Sequence, residues 1–163
     1  MTTENTESTE YMICEKLLND KHCQHLRSES LSAKTTENNE YMIYEKELSD
    51  TIIGCAIEVH KTLGSAYMEK LYERALMIEL AYADLHARSQ VPLQVNYKNH
   101  VIGDYLLDII VEEKVILELK ACSKIIPVHE AQLIQYLYTT GLKIGYIINF
   151  GSNYKLEFIT KVL

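Results

Sequence analysis

Apolar residues recur every three to four positions in three stretches of the chain, a spacing that is typical of one face of an α-helix. In the first stretch, Asn39 can cap the start of the helix and Gly64 can end it. In the third stretch, Pro127 precedes the helix and Gly141 follows it. The predicted helices span about residues 39–63, 67–83 and 128–140.

Alternating and wholly apolar runs fill the intervals between these helices and predict strands. A turn at Lys98, Asn99 and His100 separates the first predicted strand from a further strand. The predicted strands are residues 91–97, a hairpin over residues 104–120, a buried strand at 143–150 and a last strand at 154–161. The order α-α-β-β-β-α-β-β predicts an α/β fold with α+β-like succession, in which helices flank a mixed sheet.

The hairpin carries charged residues in positions that a sheet does not favour. With a three-residue loop at 112–114, Val111 pairs with Val115. Counting back along both strands, Asp108 then falls opposite Glu118. Two carboxylates placed directly opposite each other destabilise a strand pair.

A divalent cation between Asp108 and Glu118 would remove this repulsion, since burying an unpaired carboxylate costs several kcal/mol or shifts its pKa. Lys120 lies two residues after Glu118 and therefore shares its face of the strand. An ammonium group at that place suits a polarised water molecule or a phosphate. The hairpin therefore predicts a site for a cation and an anionic substrate.

Charge is distributed unevenly along the 163 residues, whose formal net charge is −7. Residues 1–50 contain 11 Asp and Glu against 5 Lys and Arg, a net charge of −6, whereas residues 51–163 carry −1. The acidity therefore belongs to the N-terminal part. The remainder is near neutral and lacks the basic surface of a protein that binds duplex DNA tightly.

The N-terminal part also contains an internal repeat. Glu10–Lys16 recurs with one change as Glu40–Lys46. The second copy runs into the first predicted helix, whereas the first copy ends in a polar stretch. We therefore expect residues 1–38 to be a weakly ordered acidic appendage that holds a duplicated segment, and residues 39–163 to be a separate domain.

Two features bear on the cellular compartment. The sequence has no run of about 18 apolar residues, so no membrane span is expected, and its polar N-terminus is unlike a secretory signal. Cys55 and Cys122 lie in apolar stretches and are expected to be reduced, small buried residues. Together these features favour a cytoplasmic protein.

The helices carry polar residues that extend the pattern of the hairpin. Gln132 and Tyr136 lie four residues apart on one face of the third helix, with His129 on the same side, and Glu69 lies in the second helix. Combined with the charges of the hairpin, these positions resemble the PD-(D/E)XK nuclease superfamily. They resemble most its branch with RecB-type nuclease domains, which adds a helical glutamate and a Q-x-x-x-Y helix.

Over about residues 47–163 the chain also resembles the small bacterial and archaeal family named for its GxxExxY motif. Glu69 and Tyr72 occupy two named positions of that motif, whereas Ala66 replaces its glycine. Alanine suits the start of a helix, so this departure leaves the chemistry in place. The other matching segments are Ile52–His60, Glu118–Ala121, Pro127–Leu133 and Ile148–Gly151.

The resemblance implies a restriction-endonuclease-like fold and cleavage of phosphodiester bonds that depends on Mg²⁺ or Mn²⁺, with DNA as the expected substrate. Asp108 and Glu118 would bind the metal. The carbonyl of Leu119 would be a possible third ligand, and Glu69 a further one, directly or through water. Oxygen ligands of this kind suit these hard cations.

The same resemblance implies roles for the neighbouring residues. Lys120 would orient the attacking water or neutralise the charge that develops on the phosphate. Gln132 and Tyr136 would position Lys120 or the DNA backbone. His129 is expected to cap its helix or contact a phosphate rather than to act in catalysis.

Two alternatives remain open from the sequence. In the first, Lys120 neutralises Asp108 and Glu118 without a metal, and the fold is a catalytically inactive module that binds nucleic acid or a protein partner. In the second, the N-terminal segment mediates a homodimer or recruits a partner. The near-neutral charge favours these alternatives, whereas the filled catalytic positions favour a nuclease of repair, recombination or defence.

The 12 tyrosines form a separate question, because aromatic side chains can stack on nucleobases. Most of them occupy periodic positions that predict burial in the core. The sequence therefore argues against a base-stacking platform.

Overall fold

The structure, a computed structural model, describes residues 45–163. Within them, α1 covers residues 45–63, and the predicted start of this helix at Asn39 lies outside the described residues. The other helices are α2 (Glu69–Tyr82) and α3 (Pro127–Thr140). The strands are β1 (Ala87–Tyr97), β2 (His100–Val111), β3 (Val115–Lys120), β4 (Ile144–Asn149) and β5 (Glu157–Val162).

The five strands form one mixed sheet in the order β1-β2-β3-β4-β5. Strands β3 and β4 run parallel, and every other neighbouring pair is antiparallel. Helix α3 makes the crossover between the parallel strands, as a parallel pair requires. The predicted order of elements and the mixed sheet flanked by helices are confirmed.

The turns follow the residues that the sequence supplies. Lys98 and Asn99 both adopt positive φ angles, 45° and 65°, between the paired residues Tyr97 and His100. Two positive φ angles in a two-residue hairpin loop match the twist of the flanking strands. In the next hairpin Val111 pairs with Val115, so the predicted register of β2 and β3 is confirmed.

Both faces of the central strands are covered, because every residue of β4 and five of the six residues of β3 are buried. Leu133 and Leu137 of α3 pack against Ile116 and Ile147 on one face. Gly145 lets α3 approach closely, since a Cβ at this residue would lie 2.7 Å from the Leu133 side chain. Helix α2 packs against β1 and β3, and its residues Tyr72, Leu76 and Leu80 are fully buried.

Strand β2 leaves β3 at Asp108. The main-chain pairing of the two strands runs from Val111 and Val115 to Ile109 and Leu117 and stops there. The next donor in line, the Leu119 N–H, binds the Asp108 carboxylate at 2.8 Å instead of a main-chain carbonyl. The outer half of the β1–β2 hairpin therefore continues without β3 beside it.

The chain divides into two units between residues 48 and 49, and the second unit, Ser49–Leu163, is compact. The second unit contains the five strands and nearly all of the described residues. The predicted appendage, residues 1–38, lies outside the described residues, and the predicted domain boundary stays a prediction. Within residues 45–163, no helix combines the length and the apolar character needed to cross a lipid bilayer.

Candidate active site

Asp108 stands at the point where β2 separates from β3. Its Oδ2 accepts the Leu119 N–H, which fixes the carboxylate beside β3. In a strand the N–H and the C=O of one residue point to the same neighbour, because paired residues exchange both bonds. The Leu119 carbonyl therefore points toward β2 as well, beyond the last main-chain pair.

Glu118 is buried, with 3% of its surface exposed, and is satisfied on only one of its two oxygens. Its Oε1 accepts a hydrogen bond from Lys120 Nζ at 2.5 Å. Its Oε2 has no hydrogen-bond partner in the part of the chain that the structure describes. Burial and the nearby charge of Asp108 raise the pKa of Glu118 to about 7.

Glu69, Asp108 and Glu118 form what we call the acidic cluster, because their charges act on one another. Burial raises the pKa of Asp108, although the Leu119 N–H and Lys120 oppose that rise. Partial burial also raises the pKa of Glu69, opposed by Lys120 and reinforced by Asp108. All three pKa shifts favour the neutral carboxyl group, chiefly because burial disfavours the charged form.

Lys120 remains charged in this setting. Burial works to lower the pKa of its ammonium group, but the hydrogen bond and the charge of Glu118 outweigh that effect and raise the pKa. An ammonium group whose pKa is raised holds its proton at neutral pH. Lys120 is therefore suited to neutralise anionic oxygens and not to accept a proton.

Tyr72 supports the segment that leads into Glu69. Its hydroxyl donates to the Gly64 carbonyl at 2.7 Å and accepts the Tyr67 N–H at 3.1 Å. Its ring stacks on Phe150 with the centroids 4.6 Å apart. Tyr72 thus joins the end of α1 to the start of α2 and fixes where Glu69 enters the site.

Asn149 and Gly151 hold the chain that follows Lys120. The Oδ1 of Asn149 accepts the N–H groups of Cys122 and Gly151, and its Nδ2 donates to Glu157. A Cβ at Gly151 would lie only 2.4 Å from the Cys122 carbonyl oxygen, so only glycine fits there. These contacts fix the end of β3 and therefore Lys120.

Gln132 and Tyr136 lie on the face of α3 that approaches the acidic cluster. Gln132 Nε2 donates to the Tyr136 hydroxyl at 2.7 Å. Burial raises the pKa of this phenol, and the charges of Glu118 and Asp108 add to the rise, which places Tyr136 beside them. His129 is differently engaged, since its Nδ1 lies 3.4 Å from the Ile126 N–H at the start of α3.

Gln90 extends the site through Glu73 in a way that sequence reasoning missed. Gln90 lies in β1 between Ser89 and Val91, which pair with Ile109 and Leu107, so it falls opposite Asp108. Gln90 itself is left out of the β1–β2 pairing and has a φ of 53°. Its amide donates to the buried Glu73, which also binds Lys70. A positive φ costs a non-glycine residue about 1–3 kcal/mol and is found at functional sites. No pattern in the sequence marks this role, because it depends on the backbone conformation of Gln90 and on its contact with Glu73.

The sequence model that describes the PD-(D/E)XK nuclease superfamily matches residues 46–161, which is most of the chain. The chain belongs to this superfamily. No curated protein and no solved structure matches the sequence. As a PD-(D/E)XK domain, the protein is nuclease-like, and its fold implies nucleic acid as the binding partner.

Members of the PD-(D/E)XK superfamily typically use divalent metal ions, and the acidic cluster offers oxygen donors for one. The unpartnered Oε2 of buried Glu118 fits such an ion, as do Asp108 and the Leu119 carbonyl. Among residues 45–163, however, no three His, Cys, Asp or Glu side chains converge into a ready-made metal centre. Coordination by Glu69, directly or through water, stays a prediction.

A cavity of about 590 Å³ lies elsewhere on this PD-(D/E)XK domain, beside the segment between β4 and β5. Lys124 and Lys155 line it, but no residue of the acidic cluster does. The chemistry of the domain is therefore argued from the acidic cluster and not from this cavity.

The expectation that most tyrosines are core residues is wrong for the described part of the chain. Of its nine tyrosines, only Tyr72, Tyr136 and Tyr146 are buried. The pattern misled because a tyrosine can meet a helical or strand spacing on either face. The exposed tyrosines are Tyr67, Tyr82, Tyr97, Tyr105, Tyr138 and Tyr154.

Proposed function

We propose that the protein is a divalent-metal-dependent nuclease that hydrolyses phosphodiester bonds of DNA in repair, recombination or defence. We further propose that it belongs to the RecB-like branch and to the GxxExxY family. The observation that carries the proposal is the buried Glu118 Oε2, which has no hydrogen-bond partner among the described residues. Leaving such an atom unpaired costs free energy that a bound cation would recover.

When bound, Mg²⁺ or Mn²⁺ would supply a water of lowered pKa and compensate the charge of the phosphate. Asp108 and Glu118 would hold the ion, with one Asp108 oxygen fixed by the Leu119 N–H. The Leu119 carbonyl would be available on the same side. Glu69 would complete the set through water from the start of α2.

Lys120 would act on the phosphate oxygens or on the water that attacks them. Its raised pKa keeps the ammonium charged, so its contribution is electrostatic and directional. Tyr136, fixed by Gln132, would position Lys120 or the DNA backbone. His129 serves the helix start through Ile126, which supports the capping role over the phosphate contact.

The first test is calorimetric titration with Mg²⁺ and Mn²⁺. The wild-type protein should give a binding isotherm, and Asp108→Ala should lose it, because a carboxylate ligand is removed. Asp104→Ala is the matched control, since this aspartate is exposed on the same strand and should leave metal binding unchanged. If the wild type and Asp108→Ala bind the metal ions equally well, Asp108 is not a metal ligand.

The second test is cleavage of single-stranded and duplex DNA in the presence of either metal. Lys120→Ala should abolish cleavage yet retain metal binding, because the lysine acts on the water and the phosphate. Lys143→Ala removes an exposed lysine before β4 and should cleave normally. If the wild-type protein binds metal but cuts neither DNA nor RNA, it is a binding module in which the Lys120–Glu118 ion pair, 2.5 Å long, is structural.

A further inference from the structure

Tyr105 is an exposed aromatic residue next to the candidate site. It lies on β2, three residues before Asp108, and 41% of its surface is exposed. It belongs to the part of the β1–β2 hairpin that continues after β2 has left β3. Its ring is therefore not covered by a third strand.

The ring of Tyr105 is nevertheless fixed. It packs edge-to-face on Tyr136, with the centroids 5.7 Å apart and the planes at 62°. Tyr136 is itself held by Gln132 and lies beside Glu118 and Asp108. One aromatic ring thus separates Tyr105 from the acidic cluster.

Resting on the proposed function, we propose that Tyr105 stacks on an unpaired nucleobase of the strand whose phosphate lies at the acidic cluster. The edge-to-face contact with Tyr136 already fixes the orientation of the Tyr105 ring. Binding a base therefore costs little side-chain entropy, which favours stacking. A base within an intact duplex already stacks on its neighbours and offers no free face. The ring therefore selects single-stranded DNA or an open end over duplex DNA.

The charge of the molecule points to the same substrate. Residues 51–163 carry a net charge of only −1, so they cannot neutralise many phosphates. Contacts to bases must then supply part of the affinity. Stacking on an aromatic ring tolerates every base, since each has a π-face, so no sequence preference is required.

The absence of tryptophan from the chain makes the contact measurable. Tyr105→Trp places the only tryptophan of the chain at residue 105. The tryptophan emission should be quenched when a single-stranded oligodeoxynucleotide of about 12 nucleotides binds. Tyr154→Trp is the matched control, because Tyr154 is 99% exposed and lies in the segment between β4 and β5. Its emission should not respond.

A second measurement uses the same strand in fluorescence anisotropy with wild-type protein and Tyr105→Leu. The variant should bind about tenfold more weakly, whereas Tyr105→Phe, which keeps the ring, should bind like wild type. For the wild type, a fully abasic strand of equal length should bind as weakly as the normal strand binds to Tyr105→Leu. Thermal melting of each variant checks that the fold is kept.

The outcomes separate this proposal from the proposed function. The stacking role alone is overturned if the wild-type protein cleaves DNA with metal, Tyr105→Leu binds the strand like wild type, and the emission of Tyr105→Trp is not quenched. Quenching without any cleavage supports the stacking role and argues against the nuclease. If the wild-type protein binds the strand in no condition, both proposals fail.

Discussion

At the scale of single residues, the buried Glu118 carboxylate carries a clear electrostatic cost. One oxygen is paired with Lys120, and the other is buried without a hydrogen-bond partner in the described part of the chain. Its pKa of about 7 lies above the usual 4.5 because burial and Asp108 disfavour the charged form. The folded protein therefore binds a proton on Glu118 more tightly than the unfolded chain does.

This pKa shift predicts a dependence of stability on pH. Stability due to Glu118 is fully present below about pH 4.5 and is lost as the pH rises to about 7, by up to about 3 kcal/mol. In Glu118→Gln this decrease in the free energy of unfolding between pH 5 and pH 8 should be smaller. Urea unfolding at both pH values measures it, with the exposed Glu58→Gln as a control.

The proposed metal adds a second expectation to the same measurement. A cation and a proton compete for Glu118, so Mg²⁺ should raise the melting temperature more at pH 8 than at pH 5. If the free energy of unfolding depends on pH identically in the wild type and in Glu118→Gln, the Glu118 carboxyl is solvated. Its burial would then not cause the loss of stability at high pH.

Residues also show where prediction from sequence ends. The positions of Asp108, Glu118 and Lys120 followed from one loop length and the alternation of a strand. Gln90 did not follow, because its role depends on a left-handed backbone conformation and on a contact with Glu73 across the fold. A polar residue at the start of a strand carries no sign of either.

At the scale of elements, the two parallel strands and the segments after them form the support of the site. The N–H of Phe150 donates to the Lys120 carbonyl at 2.8 Å, and Asn149 binds the next turn through Cys122. Asn149 is fully buried, and both atoms of its amide are used. The segment after β4 therefore sets the position of the last residue of β3.

This support predicts the effect of a single methyl group. Gly151→Ala places a Cβ 2.4 Å from the carbonyl oxygen and 2.5 Å from the nitrogen of Cys122, and backbone cannot move aside as a side chain can. We expect a loss of about 1–3 kcal/mol of stability, as for overpacked sites, and weaker cleavage through the displaced Lys120. Chemical denaturation and cleavage rates measure the two effects.

Gly54→Ala is the control for that substitution. It makes the same chemical change in helix α1, where a Cβ meets no atom within 4 Å. It should leave the stability unchanged or raise it by up to about 1 kcal/mol, because alanine favours a helix more than glycine does. Equal stability of Gly151→Ala and Gly54→Ala would show that the backbone at Cys122 yields easily.

The elements themselves were largely accessible from the sequence. Gly64 and Gly141 end their helices with φ angles of 71° and 76°, as the predicted stop positions require. Strand β1 begins four residues before the predicted Val91, because residues 87–90 are mainly polar and do not alternate. The separation of β2 from β3 was not accessible, since it follows from a side chain that replaces a main-chain partner.

At the scale of the whole molecule, the compact unit Ser49–Leu163 contains the sheet, the core and the acidic cluster. We predict that deletion of residues 1–38 leaves a cooperatively folding domain that still binds metal. A thermal melt of the truncated chain should be a single transition close to that of the full chain. Strong destabilisation would show that the first copy of the repeat is part of the architecture.

The separation of β2 from β3 has a consequence for how such proteins diverge. Three main-chain pairs, from Val111–Val115 to Ile109–Leu117, set the spacing of the two hairpin carboxylates, and the turn at Lys98 and Asn99 has no share in it. Insertions or deletions at that turn change the length of the β1–β2 hairpin but leave Asp108 and Glu118 in place. Substrate binding and catalysis can therefore evolve separately within one continuous hairpin.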